Sequence, residues 1–168
     1  TRAGVLSIGQ SAGRKDCAGA LAAPMLTLWE LASGSDMATG VVTTARVTHA
    51  TPGATFTHSA ERNWENDTEL TDEARAAGCV DIARQLVDTP FARGFDVLMG
   101  GGRKNFMPVT QRDPEEDDKV GERLDGRDLI TDWKRRHPGG VYAWNKAQLD
   151  AAPLDKPLLA LFQPDHMQ

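Results

Sequence analysis

The sequence predicts an α/β sandwich around a mainly parallel sheet. The first reason is the order of its patterns: short β-branched or apolar runs take turns with stretches of helical spacing, and strands alternating with helices pair in parallel through crossover connections. The second is size, since 168 residues can bury one sizeable core and fit a single domain. No internal repeat or low-complexity segment points elsewhere.

Residues 19–33, GALAAPMLTLWELAS, place Leu21, Met25, Leu28, Trp29 and Leu31 at helical spacing, and Gly34 follows where a helix would stop, so one helix is expected here. After Gly40, Val41-Val42-Thr43-Thr44 is β-branched and too brief for a helix; it reads as a buried strand. Thr71-Asp72-Glu73 opens a second helical pattern with acidic residues suited to its first turn, and Ala77, Val80, Ile82, Ala83, Leu86 and Val87 supply its apolar face. Phe95 to Met99 is the next strand. Residues 100–127 hold Gly100-Gly101-Gly102, Pro108, Pro114 and a dense acidic run, and are expected as a long surface excursion. Leu129 to Arg136 reads as a helix cut off by His137-Pro138-Gly139-Gly140, and Val141 to Trp144 as a strand. Asn145 caps a helix over 146–152, and Leu158 to Phe162 makes the last strand.

Composition sets the outer bounds. Hydrophobic residues at 40% and charged residues at 26% are ordinary for a globular domain, and no apolar run is long enough to span a bilayer. Nineteen Lys and Arg against 24 Asp and Glu give a net charge of -5, which disfavours broad adhesion to nucleic acid or anionic membrane. The one short basic cluster, Lys134-Arg135-Arg136, reads as a solvated helix end. The chain starts Thr-Arg-Ala-Gly with neither a methionine nor an apolar h-region, so no signal peptide is legible and the start looks truncated or processed. Cys17 and Cys79 leave two options open, a single disulfide or two inert buried thiols.

Chemistry is expected where the first strand ends, because ligands of open α/β sheets gather beyond the carboxyl ends of the strands. Residues 46–64, RVTHATPGATFTHSAERNW, leave such an end. Thr48, Thr51, Thr55 and Thr57 offer hydroxyls, His49 and His58 imidazoles, and Arg62 a fork of donors that matches two oxygens of a phosphate. Hydroxyl ligands suit a hard cation such as Mg²⁺. The competing structural reading makes Thr51 a helix N-cap and Pro52 the first helical residue.

The other candidates are weaker. Gly100-Gly101-Gly102-Arg103-Lys104 follows a strand but lacks both fuller phosphate-loop patterns, and a tight turn that lets backbone cross the sheet edge is the better reading. Asp113 to Asp118 lacks the glycine and spacing of an EF-hand loop and reads as a solvated acidic loop. No nucleophile signature is present, and His137 and His166 read as surface histidines without partners.

Residues 41–64, VVTTARVTHATPGATFTHSAERNW, resemble alkaline phosphatases. GCVDIARQL (78–86), DVLMGGGRKNFMP (96–108), RLDGRDL (123–129), YAWN (142–145) and LLALFQP (158–164) are similar to that family in order and spacing, and GVLSIGQ (4–10) fits the segment after its nucleophile helix. The resemblance implies a single, partial alkaline-phosphatase-like domain over 1–168, part of an enzyme that hydrolyses small phosphate monoesters through a phosphoserine. It implies two Zn²⁺ ions and a Mg²⁺ ion, a homodimer, and a periplasmic or extracellular location. Arg62 then corresponds to the arginine that grips two phosphate oxygens, Thr51 to a hydroxyl ligand of Mg²⁺, and His49 to a histidine close to that metal. Cys17 and Cys79 match a disulfide of animal-type members, while Glu115, Phe162 and Gln163 match a Ca²⁺ site degraded by Gln163, where those members carry glutamate. The nucleophilic serine would lie before Thr1, and the Zn²⁺ ligands before Thr1 or beyond Gln168, so the segment alone is expected to be inactive. Two further readings stand beside this one: a non-catalytic phosphate- or metal-binding domain using Arg62 and Thr51, and a nucleotide-binding module using Gly100 to Lys104.

Overall fold

The computed structural model describes residues 4–89 and 94–168; the processed-looking start at Thr1 lies outside them. In chain order the elements are α1 (Cys17–Ala22), α2 (Leu28–Gly34), β1 (Gly40–Arg46), α3 (Ala50–Gly53), α4 (Asp72–Ala76), α5 (Ile82–Asp88), β2 (Val97–Gly101), α6 (Leu129–Arg136), β3 (Val141–Ala143), α7 (Lys146–Asp150) and β4 (Leu158–Leu161). Short 3₁₀ helices cover Asp67–Glu69 and Arg103–Phe106. The four strands form one sheet in the order β1-β2-β4-β3, parallel at every pairing. This is the expected α/β layout.

Two expected helices are each broken in two. Pro24 has no N–H and disfavours helical backbone at the residue before it, so the chain leaves the helix at Ala23 (φ -138, ψ 54). A new helix starts at Thr27, which closes a capping box with Glu30. In the second pattern Gly78 at φ +89 ends α4, Val80 falls in the link, and Asp81 caps α5. β2 also starts two residues later than expected and takes in Gly100 and Gly101. Glycine is required there by close approach: a Cβ on Gly101 would lie 2.0 Å from the Asp165 carbonyl oxygen.

The excursion over residues 100–127 is not simply a surface feature. It buries Met107 and, at 0% exposure, Phe106 and two arginines, Arg103 and Arg123. Arg103 grips Asp113 through two bonds of 2.7 Å and donates to the Leu161 carbonyl at 2.7 Å, so the acidic run is anchored by a buried ion pair at its first residue. Arg123 grips Asp81 at 2.9 and 3.1 Å and Asp125 at 3.1 and 2.5 Å. His137 is likewise buried rather than exposed: it stacks on Trp133 at 4.6 Å, with Nδ1 3.0 Å from the Trp133 carbonyl. The Lys134–Arg136 cluster is the solvated end of α6, with Arg136 paired to Asp88 at 3.2 Å.

Asp88 ties α5 to the start of α6. Arg127 bonds it at 2.8 and 3.0 Å, and Arg84 at 3.0 Å. The Arg127 guanidinium beside it, against the opposing effect of partial burial, lowers its pKa from 3.8 to about 2. A carboxyl with a depressed folded-state pKa stabilises the fold above its unfolded value, and that contribution fades as pH falls from 3.8 towards 2. Wild type should therefore lose more urea resistance between pH 5 and pH 2.5 than Asp88→Asn does. Equal losses in the two proteins would rule the assignment out.

Candidate phosphate site at the strand tips

Because β1, β2 and β4 run parallel, their carboxyl ends meet at one edge of the sheet. Backbone bonds lace the chains that leave it. The Val47 N–H donates to the Gly101 carbonyl at 3.1 Å, Gly102 to Asp165 at 2.9 Å, and Met167 to Thr44 at 2.8 Å.

The structure divides the polar residues of the first loop into those that build it and those left to act. Thr48 is fully buried and donates to Glu65 at 2.6 Å. Thr55 donates to the Pro52 carbonyl at 2.7 Å and Thr57 to Gln85 at 2.7 Å. His58 lies between the Ser7 carbonyl at 2.8 Å and Glu30 at 3.0 Å, tying the loop to α2. These four are structural.

Thr51 does not cap a helix. The cap position of α3 is His49, without a side-chain cap bond, and Pro52 is the third helical residue, where a missing N–H costs little. Thr51 remains exposed, and its hydroxyl bonds to no side chain or carbonyl among the described residues.

His49 and Arg62 are brought together, Arg62 Nη2 lying 3.2 Å from His49 Nε2. A guanidinium only donates, so Nε2 is the acceptor and the ring is neutral in this contact. Burial pushes the His49 pKa down, and the charges of Arg62, Arg46 and His166 push the same way against Glu65. The Arg62 backbone N–H is held by the Gly4 carbonyl at 2.8 Å. Among the described residues no carboxylate pairs with Arg62 within 4.0 Å, whereas Arg46, Arg103, Arg123 and Arg127 are each bound by one or more. His166 is exposed, as expected, but it is not without partners: it stands edge-on to His49 at 5.3 Å and accepts from the Arg46 N–H at 3.2 Å.

Sequence reasoning missed the frame around these residues. Arg46 holds Glu65 at 2.8 and 2.7 Å and Asp165 at 2.6 Å, and Lys104 joins Asp165 at 2.8 Å to Glu122 at 3.1 Å. Position at a strand end could have flagged Arg46 and Lys104; no spacing in the chain links either to its partners. A cleft of about 530 Å³ beside this frame is lined by Lys104, Glu122, Asp165 and His166 among others, and Arg62 is outside it. Arg103 cannot serve a phosphate loop at Gly100 to Lys104, since its guanidinium is buried and spent on Asp113 and Leu161. Glu115, Phe162 and Gln163 do line one cleft, yet Glu115 is bound to Arg103 at 3.1 Å and Gln163 Oε1 accepts from Gln168 at 3.0 Å. No three His, Cys, Asp or Glu side chains gather as metal ligands among the described residues.

The chain's kinship agrees with this layout. The family model for alkaline phosphatase matches residues 5–168. The chain belongs to the alkaline phosphatase family. It is 40% identical over 174 residues to the tissue-nonspecific alkaline phosphatase of Rattus norvegicus, an alignment covering 98% of this chain and 33% of that protein. It is 42% identical over 148 residues to a membrane-bound alkaline phosphatase of Bombyx mori, covering 83% of this chain and 26% of the relative. Among solved structures, a TAB5 alkaline phosphatase mutant with Mg bound in its M3 site superposes with a TM-score of 0.63 at 15% identity, over 98% of this chain and 35% of that one. The chain thus spans between about a quarter and a third of the length of these alkaline phosphatases. The disulfide implied by the family likeness is present, with Cys17 and Cys79 bridged at a Cα separation of 5.9 Å. No helix among the described residues is long and apolar enough to cross a membrane.

Proposed function

We propose that this chain supplies the phosphate grip of an alkaline phosphatase that hydrolyses small phosphate monoesters. One observation carries the reading: at the strand tips of a family member, Arg62 stands beside a neutral His49, and no carboxylate among the described residues holds it. A planar fork that donates to two non-bridging oxygens offsets charge on the transferring group, and it does so most strongly when no fixed anion competes. Thr51 presents an exposed hydroxyl of the hard-oxygen kind that Mg²⁺ accepts, and His49, two residues before it and beside Arg62, would stand near that ion. When bound, Mg²⁺ would supply positive charge near the transferring group.

No three metal-ligating side chains gather among the described residues, so no zinc step is assigned to them, and the phosphoserine route is left to the complete enzyme. Calcium is left out, because the carboxylate of Glu115 already answers Arg103. A bridged Cys17–Cys79 fits an oxidising, periplasmic or extracellular setting, and a homodimer of the complete enzyme goes with the same family reading.

Calorimetric titration of the purified chain with inorganic phosphate tests the grip. Arg62→Ala should weaken binding by about tenfold or more, and in a complete enzyme should lower kcat/KM on the order of 10²-fold. Phosphate affinity untouched by Arg62→Ala would refute the role. The chain by itself should turn over no chromogenic phosphate ester at an enzymatic rate; turnover abolished by Arg62→Ala would overturn that part. Phosphate binding without turnover in the complete protein would favour a non-catalytic binding domain instead.

A further inference from the structure

Glu65 is 6% exposed and has no part in the phosphate contacts described above. Four hydrogen bonds converge on its carboxylate from three stretches of chain. Arg46 Nε and Nη2 donate at 2.8 and 2.7 Å from the end of β1, Thr48 Oγ1 at 2.6 Å from the start of the loop, and Asn105 Nδ2 at 3.3 Å from the 3₁₀ helix behind β2. Asn105 also donates to Thr48 Oγ1 at 2.7 Å, which closes the circuit. Three of these bonds fall on Oε2 and one, from Arg46 Nη2, on Oε1, so Oε2 is where the donors converge. Burial alone would raise its pKa, but the bonds from Arg46 and Thr48 outweigh that and hold it below the ordinary carboxylate range.

The location matters as much as the number of bonds. Thr48 is the residue before His49, and Glu65 comes three residues after Arg62, so the entry and the exit of the loop are fastened through one carboxylate. We propose that Glu65 is the positioning residue of this loop, setting Arg62 against His49 by locking both ends of residues 48–65 to Arg46 and Asn105. This rests on the phosphate-gripping role of Arg62. Its physical basis is that misplacing a binding group by about 1 Å can cost on the order of 10²-fold in rate. Glutamine in its place keeps the shape but offers one acceptor oxygen, and turns N–H groups towards donors.

The test combines amide hydrogen exchange with titration by inorganic phosphate, on wild type, Glu65→Gln and Thr48→Val. The His49, Gly53 and Arg62 amides are all hydrogen-bonded, to Arg46, His49 and Gly4 carbonyls, and so report local opening. In Glu65→Gln they should exchange at least about tenfold faster while the His137 amide at the end of α6 stays at its wild-type rate, and phosphate affinity should fall by about tenfold. Thr48→Val, which leaves the Arg46–Glu65 pair intact, should speed the same amides by less. Should Glu65→Gln fail to fold, Thr48→Val alone decides the matter on those amides. Unchanged loop exchange overturns the proposal, as does an increase shared equally with His137, which is global destabilisation. Faster loop exchange in a protein whose wild type binds no phosphate would leave the positioning role standing and remove the role of Arg62.

Discussion

Asp81→Ala should cost about 4 kcal/mol of folding free energy, because Asp81 does two jobs from a nearly inaccessible position. Its exposure is 1%, and it faces Arg123, whose side chain is wholly buried. Removing one member of a buried pair strands the other charge, a loss of about 3–5 kcal/mol. Asp125 remains on Arg123 at 2.5 Å, so the low end of that range applies. The same Asp81 oxygen also accepts the Arg84 backbone N–H at 2.9 Å as the N-cap of α5, and loss of a cap adds about 1 kcal/mol. Urea denaturation separates the two jobs. Asp81→Asn keeps a capping oxygen and should recover only about the 1 kcal/mol of the cap. The double change Asp81→Leu with Arg123→Met removes both charges and should recover much more, since apolar replacement of a whole buried pair is often neutral. If Asp81→Ala unfolds at the wild-type urea concentration, the buried pair is not what holds residues 100–127 against α5.

The second large effect comes from the disulfide. Cys17 and Cys79 are 62 residues apart, and closing a loop of that length stabilises by about 4 kcal/mol in the chain-entropy model. Cys17→Ser with Cys79→Ser should lower the thermal midpoint by roughly 8–16 °C for a domain of this size. The site of the damage follows from the packing. The bridge ties α1 to the turn after α4 across a small core of Val5, Ile8, Ala12, Ala20, Ala60, Trp64, Leu70 and Ala74, separate from the core under the sheet. Ala60 and Trp64 of that core flank Arg62 in the chain, so the same variant should also weaken phosphate binding. An unchanged midpoint when wild type is scanned with and without reductant would show that the bridge contributes nothing.

The sequence by itself determined the class of the fold and pointed to the address of the candidate site. Short strands alternating with helical patterns leave parallel pairing as the economical arrangement, and a strand end rich in donors marks where ligands collect. Helix α6 was legible to the residue, from Leu129 to Arg136, because a His-Pro-Gly-Gly stop bounds it locally, and the structure adds Asp128 as its N-cap. Apolar spacing makes α1 and α2 look like one helix, while Pro24 breaks it by backbone sterics that a spacing count ignores.

Only the tertiary structure decided which polar residues are free. Thr48, Thr51, Thr55 and Thr57 look alike in sequence, yet three are consumed by Glu65, Pro52 and Gln85 and only Thr51 is left. Arg103 and Arg62 both lie in segments that leave a strand end, and one is neutralised in the core while the other faces a neutral imidazole. Propensity and periodicity are local and can be read along the chain, whereas the charge balance of a site depends on partners such as Arg46 and Asp165, 119 residues apart, that only folding brings within 2.6 Å.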